Sequence, residues 1–134
     1  MQKISKIEII TRPEKLEELK AAMYELRVTG MTVSQVYGCG LSRGYTEVYR
    51  GKEVFTNLLP KVKVEIVVCE VPVAAVIEAA KQVCCTGQVG DGKIFVSTLD
   101  NAVRIRTGEE GAAAIIDRRE DWPIINETVN KTKK

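Results

Sequence analysis

The segment TGQVGDGKIF, residues 86–95, carries the residue types best suited to binding phosphate. Gly87, Gly92 and Lys93 fit G-x-x-x-x-G-K, the phosphate-binding loop of many nucleotide hydrolases. That loop continues with Ser or Thr, whose hydroxyl binds Mg²⁺, whereas this chain has Ile94. The segment therefore lacks one functional part of a hydrolase loop.

The predicted neighbours of this segment also differ from those of a hydrolase loop. The hydrolase loop follows a strand and opens a helix, whose dipole and free N–H groups face the phosphate. Here a predicted helix, residues 73–85, precedes the glycines, and a strand follows them. Glycines still allow successive N–H groups to turn towards an anion, and Lys93, Arg104 and Arg106 are candidates to converge on it. The alternative is a glycine turn beside a solvated basic strand edge.

The elements that must position the segment follow from hydrophobic periodicity. Alternating β-branched residues predict strands over residues 4–10, 31–38, 62–68 and 93–98. Helical spacing predicts one helix between Thr11, as its cap, and Gly30, as its end, and a second helix opened by Pro72. This βαββαβ order is that of the ferredoxin-like split βαβ fold, an α+β architecture with two helices on one face of an antiparallel sheet. Residues 102–108 are predicted to add a strand or a hairpin arm.

Composition and length restrict the class of protein. The 134 residues predict one domain, with residues 1–116 as its folded part and residues 117–134 as a partly mobile extension. A net charge of +2 does not favour nucleic acid as a partner. No apolar run approaches the roughly 18 residues of a membrane span, and charged residues interrupt the apolar N-terminal ones. Four cysteines without any histidine give no recognisable zinc pattern, so we expect a cytoplasmic protein with reduced thiols.

A long loop is predicted between the second and third strands, over residues 39–61. Loops of this length usually have a function or are disordered. Gly40, Gly44 and Gly51 lie in or near its first half together with many charged residues, which is typical of a mobile arm.

Several segments together resemble the PII family of nitrogen-regulatory signalling proteins. They occur in one order up to about Ile116: TGMTV from Thr29, the G-x-G of Gly38 and Gly40, YTEVYRG from Tyr45, KVKVEIVV from Lys61, TGQVGDGKIFV from Thr86 and VRIRTGEE from Val103. The resemblance implies a non-enzymatic homotrimer that binds ATP or ADP between subunits, with Mg²⁺ compatible with ATP. It also implies control of an ammonium transporter or another nitrogen-metabolism protein.

The resemblance implies specific nucleotide-binding residues. The phosphates would be held by Gly90, Gly92 and Lys93, with charge added by Arg104 and Arg106, partly across the subunit boundary. The positions that match the adenosine and its cleft are Ile10, Thr32, Gly38 and Glu65, and Cys39, Gly40 and Asp91 complete the set. Ordinary strand packing and pairing is the alternative for Ile10, Thr32 and Glu65.

Residues 39–61 match the family's T-loop, which changes shape with the bound nucleotide and inserts into partner proteins. Tyr49 and Arg50 are the predicted partner contacts, and Arg50 matches the arginine that enters an ammonium transporter's pore. A solvated loop charge is the alternative for Arg50. Where uridylylated relatives carry Tyr, this chain has Val54 with Phe55 beside it. Neither side chain has a hydroxyl, so that modification is chemically excluded there.

The 2-oxoglutarate site departs from the family pattern. Ser42 replaces a glutamine that in relatives helps to ligate the Mg²⁺ shared by ATP and 2-oxoglutarate, and its side chain is shorter. Lys61 matches the lysine that meets the 2-oxoglutarate carboxylate. We therefore expect ATP or ADP to bind, and 2-oxoglutarate to bind weakly or through an altered metal shell.

Three other functions compete with this interpretation. One is a PII-like regulator of another pathway that senses ATP or ADP without 2-oxoglutarate. A second is a nucleotide-hydrolysing enzyme, but the chain has no histidine, and Asp91 in the glycine segment is expected to form a turn. The third is an RNA- or protein-binding ferredoxin-like module; an RNA-binding sheet needs exposed aromatic residues, and Phe95 lies on a predicted strand while Phe55 and Trp122 do not.

Overall fold

A computed structural model describes residues 2–39, 46–49, 52–55 and 58–116 of the chain. Its main sheet consists of four antiparallel strands: β1 (Ile4–Thr11), β2 (Thr32–Cys39), β5 (Leu58–Val68) and β6 (Lys93–Leu99). Their order across the sheet is β2–β5–β1–β6. Helices α1 (Leu16–Glu25) and α2 (Val73–Cys84) connect them in the predicted βαββαβ order. The ferredoxin-like α+β prediction is therefore confirmed.

The core lies between the sheet and the two helices. Alternate residues of a strand point to opposite faces, so one face of β1 and β5 is apolar and meets both helices. The largest side chains with less than 2% exposure in this layer are Ile7, Ile9, Val64, Ile66, Leu19, Met23 and Val76. Cys84, at the end of α2, extends the same core. Neither α1 nor α2 covers the other face of the sheet, called here the uncovered face, which carries charged residues.

Both predicted ends of the first helix are wrong. Thr11 is the last residue of β1, and its hydroxyl donates to the carbonyl of Asp91 at 2.9 Å, so a tertiary contact replaces the predicted cap. A short 3-10 turn, Pro13–Lys15, leads into α1. The helix then ends at Glu25, before Gly30, because Arg27 adopts a left-handed conformation with a φ of 65°.

A Schellman motif explains this early end of α1. Arg27 N–H donates to the carbonyl of Tyr24 at 2.9 Å, and Val28 N–H donates to that of Met23 at 3.0 Å. The motif usually has glycine at the left-handed position. Here Arg27 occupies that position, and the next residue, Val28, is buried in the core and holds the turn in place.

Residues 102–108 form a hairpin arm and not a strand of the main sheet. Arg104 N–H donates to the carbonyl of Glu109 at 2.8 Å, and Gly108 N–H donates to that of Arg104 at 2.7 Å. A single bridge pairs Val103 with Glu110. A short helix, α3 (Ala112–Ile115), follows.

The stretch predicted as a long loop begins and ends inside strands. Cys39 is the last residue of β2, and Leu58 to Lys61 open β5. Between them β3 (Thr46–Tyr49) pairs with β4 (Lys52–Phe55) as a separate two-stranded sheet. Gly40, Ser42, Arg50 and residues 117–134 lie outside the described residues.

Candidate functional site

The glycine segment lies against the carboxyl end of β1. Ile10 pairs with Lys63 of β5 on one side and with Lys93 of β6 on the other. A Cβ on Gly92 would lie 1.7 Å from the carbonyl oxygen of Ile10, so no larger residue fits there without movement of the backbone. Gly92 also has a φ of +106°, which L-residues rarely adopt. Close approach and backbone conformation together require glycine at this position.

The carboxylate of Asp91 folds the segment into a turn. It accepts hydrogen bonds from the Thr86 hydroxyl, from Thr86 N–H at 2.7 Å, from Gly87 N–H at 3.0 Å and from Arg12 Nε at 3.3 Å. These bonds, led by that of the Thr86 hydroxyl, lower the pKa of Asp91 from 3.8 to about 2. An ionised carboxylate that accepts from three donors in its own loop, and from Arg12 after β1, has the contacts of a turn-forming residue.

The segment also presents a set of backbone donors. Gly90 and Gly92 both have positive φ, which turns the chain through the left-handed region on either side of Asp91. Among the described residues, no protein acceptor receives a hydrogen bond from the N–H groups of Gly90 or Gly92, whereas that of Asp91 closes the turn at residues 89–90. Consecutive N–H groups in such a conformation form the concave donor set that binds anions in nests.

Two cations lie directly over Gly90. A Cβ at Gly90 would be 3.2 Å from Nη2 of Arg12 and 3.4 Å from Nζ of Lys61. Lys61 Nζ donates to the carbonyl of Gly90, and Arg12 Nη2 donates to that of Val89 at 2.9 Å. Gly38 leaves room for the lysine, since a Cβ there would be 3.3 Å from Lys61 Cγ.

Arg12 is the residue that sequence reasoning missed. The signal available in the sequence was its position just after the first predicted strand, and the pairing of Ile10 with Lys93 emerges only in the structure. Lys93 is exposed at the first position of β6, next to the glycine turn. The structure thus brings Arg12, Lys61 and Lys93 to one end of the sheet.

Thr32, Glu65 and Arg104 form a second group on the uncovered face. Thr32 lies directly opposite Glu65 in the β2–β5 register, and both line a cleft of about 530 Å³ together with Arg104. Arg104 Nη2 donates to the carbonyls of Ala114 and Ile116, each at 3.3 Å.

Glu65 belongs to an ionic network along this face. Lys6 Nζ lies 3.2 Å from Glu65, and Lys63 Nζ lies 3.5 Å from Glu65 and 3.7 Å from Glu8. The hydrogen bond from Lys6, together with the charges of Lys6 and Lys63, lowers the pKa of Glu65. Each group is partly exposed, so these pairs contribute little to stability in the isolated subunit.

Within one chain the two groups do not meet. Lys93 and Leu99 are the two ends of β6, so about 20 Å of strand separates them. Leu99 lines the cleft that holds Arg104. Within one subunit Arg104 and Arg106 lie in the hairpin arm, so Arg104 does not meet Lys93 there, and the expected convergence across the subunit boundary stays a prediction.

Among the described residues, the exposed aromatic side chains of the sheet do not form a stacking surface. Phe95 is 50% exposed and pairs with Glu8 on the uncovered face. Tyr37 is 74% exposed but lies at an odd position of β2, on the opposite face from Thr32. An RNA-binding sheet would need such rings side by side.

Comparison with known proteins identifies the family. The family model described as "Nitrogen regulatory protein P-II" matches residues 4–109. The chain belongs to the P-II family. A nitrogen regulatory PII-like protein of Bacillus subtilis (strain 168) is 50% identical to this P-II protein over 110 residues, which are 82% of this chain and 95% of the relative. The P-II protein of Rhodospirillum rubrum is 48% identical over 112 residues, 84% of this chain and 100% of the relative.

Solved structures agree with this assignment. A B. subtilis GlnK–ATP complex is 45% identical with a TM-score of 0.71, covering 84% of this chain and 97% of that chain. A second structure of B. subtilis GlnK is 48% identical with a TM-score of 0.72, covering 84% of this chain and 98% of that chain. This P-II protein is thus a member of a family of nitrogen regulators, which are signalling proteins and generally not enzymes. Among the described residues, no helix has the length and apolarity needed to cross a membrane.

Proposed function

We propose that this P-II protein binds ATP or ADP through its glycine segment and reports the nucleotide to a nitrogen-metabolism protein. The observation that carries the proposal is the pair of N–H donors at Gly90 and Gly92, on either side of Asp91, with the cations of Arg12, Lys61 and Lys93 around them. Backbone donors and basic side chains are the usual ligands of a polyphosphate. The ATP complex of the related GlnK supports adenine nucleotide as the ligand.

The nucleotide site is completed by a neighbouring subunit in a homotrimer. A single chain keeps Thr32, Glu65 and Arg104 far from the glycine segment, at a distance set by the length of β6. Packing one copy's cleft against another copy's glycine turn would bring both predicted groups to one ligand. Arg104 and Arg106 would then act across the subunit boundary.

Magnesium would arrive with the nucleotide. In the described part of the chain, no cluster of three or more Asp, Glu, Cys or His side chains is placed to hold a metal ion. Mg²⁺ is typically bound by substrate phosphates with few protein ligands, which fits such a site. Binding of 2-oxoglutarate is proposed to be weak, because Lys61 supplies a cation but Ser42 stands in place of the longer glutamine.

The output of the site is a contact with a partner such as an ammonium transporter, made by residues 39–61. Lys61 links this stretch to the nucleotide site, because it opens β5 and also donates to the carbonyl of Gly90. The response does not depend on uridylylation, since Val54 and Phe55 have no hydroxyl. Tyr49 and Arg50 are the proposed partner contacts.

Calorimetric titration with ATP, ADP and 2-oxoglutarate, each with and without Mg²⁺, tests the proposal. Lys93→Ala removes one charge-assisted hydrogen bond, which is worth about 1.5–3 kcal/mol, so nucleotide affinity is expected to fall roughly 10- to 150-fold. Lys20→Ala is the matched control, because Lys20 is exposed on α1 and pairs with Glu17 at 3.1 Å. Equal affinities for the Lys93 variant and the native protein would refute the phosphate assignment. Tight, Mg²⁺-dependent binding of 2-oxoglutarate would refute the proposed weak binding.

A further inference from the structure

The chain is longer than its relatives. The complete R. rubrum protein matches 112 residues, which leaves 134 − 112 = 22 residues of this chain outside the match. Residues 117–134 lie beyond the family match, which ends at residue 109, and beyond the last described residue, Ile116. They open with five charged residues, DRRED, and continue with WPII, residues 122–125. The tryptophan in this stretch is the single one of the whole chain.

A cleft of mixed lining, with several apolar side chains, lies where the described chain ends. We call it the terminal cleft; its volume is about 450 Å³, and its apolar lining includes Leu26, Val28, Val68, Val71, Ile115 and Ile116. Val28 and Val68 are buried residues of the core, so the cleft opens directly onto the packed interior. Arg27 and Glu70 also line it, giving one charge of each sign.

We propose that residues 122–125 occupy the terminal cleft of their own chain. Ile116 lines the cleft, and Trp122 is six residues further on, so the connecting residues reach at most about 20 Å. That reach lets Trp122 fold back into the cleft that Ile116 already lines, and it excludes surfaces more than about 20 Å from Ile116. Tryptophan and isoleucine have large apolar side chains, so burying them in a cleft gains more free energy than burying small or polar side chains does.

The charged residues of the two lining sets favour the terminal cleft over the adjacent cleft as the site for residues 122–125. The adjacent cleft contains Lys6, Glu65 and Arg104, which suit a polar ligand. In the terminal cleft the two charged residues are of opposite sign, and the connecting DRRED stretch carries both signs as well. Docking there covers valine and leucine side chains without burying an uncompensated charge.

Fluorescence of the single tryptophan tests this directly in the full chain without nucleotide. Trp122 is expected to emit at shorter wavelength, and to be several-fold less quenched by acrylamide, than the free peptide of residues 117–134. Val71→Asp places a charge in the cleft and should raise quenching towards the value of the peptide. Ala74→Asp, on the exposed face of α2 outside the cleft lining, is the matched control and should leave quenching unchanged.

A second measurement does not depend on the cleft variant folding. Cys69 lines the terminal cleft, so Trp122→Ala should increase its alkylation rate several-fold, read by peptide mass spectrometry, whereas Thr128→Ala should not. Quenching of native Trp122 equal to that of the free peptide would overturn the proposal. Protection of Trp122 that is indifferent to Val71→Asp, with unchanged Cys69 alkylation, would place the segment elsewhere and overturn it as well. Because nucleotide is absent, neither result depends on the proposed function.

Discussion

Gly92→Ala tests the idea that a close backbone approach, and not only a glycine-rich composition, builds the nucleotide site. The new Cβ would lie 1.7 Å from the carbonyl oxygen and 2.8 Å from the carbonyl carbon of Ile10. Real Cβ atoms essentially never approach closer than 3.0 Å, so the backbones must separate by at least 3.0 − 1.7 = 1.3 Å. The side-chain atom meets backbone here, which cannot rotate away as a flexible side chain would.

Two costs add in this variant. An L-residue held at a φ of +106° stores about 1–3 kcal/mol of backbone strain, and forcing a methyl group into a packed contact costs about 1–3 kcal/mol more. The expected loss in the free energy of unfolding is therefore roughly 2–6 kcal/mol, less the few tenths to 1 kcal/mol that alanine gains by restricting the unfolded chain. A displacement above 1 Å should also break a charge-assisted hydrogen bond from the segment to the bound phosphates, worth about 1.5–3 kcal/mol, so ATP affinity should fall roughly 10- to 150-fold.

Gly87→Ala separates the two costs. Gly87 also has positive φ, +82°, but a Cβ there meets nothing within 4 Å. It should therefore show the conformational cost alone, about 1–2 kcal/mol, with ATP affinity close to that of the native protein. Urea unfolding followed by circular dichroism gives the stabilities, and calorimetry gives the affinities. If both variants lose the same stability and bind ATP equally well, the argument from the Ile10 contact is refuted.

Two further predictions concern the turn residues. Arg27→Gly should raise the free energy of unfolding by about 1 kcal/mol, because it relieves a left-handed φ of 65° in an otherwise intact Schellman motif, and a lower urea midpoint would contradict this. The second prediction concerns Asp91, whose pKa is lower in the folded protein than in the unfolded chain. Its ionised form therefore stabilises the folded protein above pH 3.8, and this contribution is lost as the pH falls from 3.8 through about 2. Asp91→Asn should flatten the pH dependence of the urea midpoint in that window, and a carboxyl ¹³C titration of native Asp91 with its midpoint at 3.8 would contradict the assignment.

Much of the fold could be predicted from periodicity. Alternation in β1 and β5 marks one apolar face, and apolar spacing in α1 and α2 marks the helix faces that cover it, because both periods are fixed by backbone geometry. The helix ends could not be predicted in the same way. Thr11 has the side chain of a cap, but a hydrogen bond to Asp91, 80 residues away, decides its role. Arg27 ends α1 because Val28 packs into the core, and local propensity does not report that contact.

The sequence by itself determined which chemical groups are available for the site. The glycines and Lys93 are readable as phosphate-binding types, and the order of the matching segments along the chain was sufficient to predict the P-II family, which the comparisons confirm. Only the tertiary structure decided where these groups lie. Strand pairing places the glycine turn against Ile10 and brings Arg12 and Lys61 over Gly90, while the length of β6 keeps Arg104 at the other end. Distances between residues far apart in the chain depend on register and packing, and these are properties of the assembled sheet that no local pattern contains.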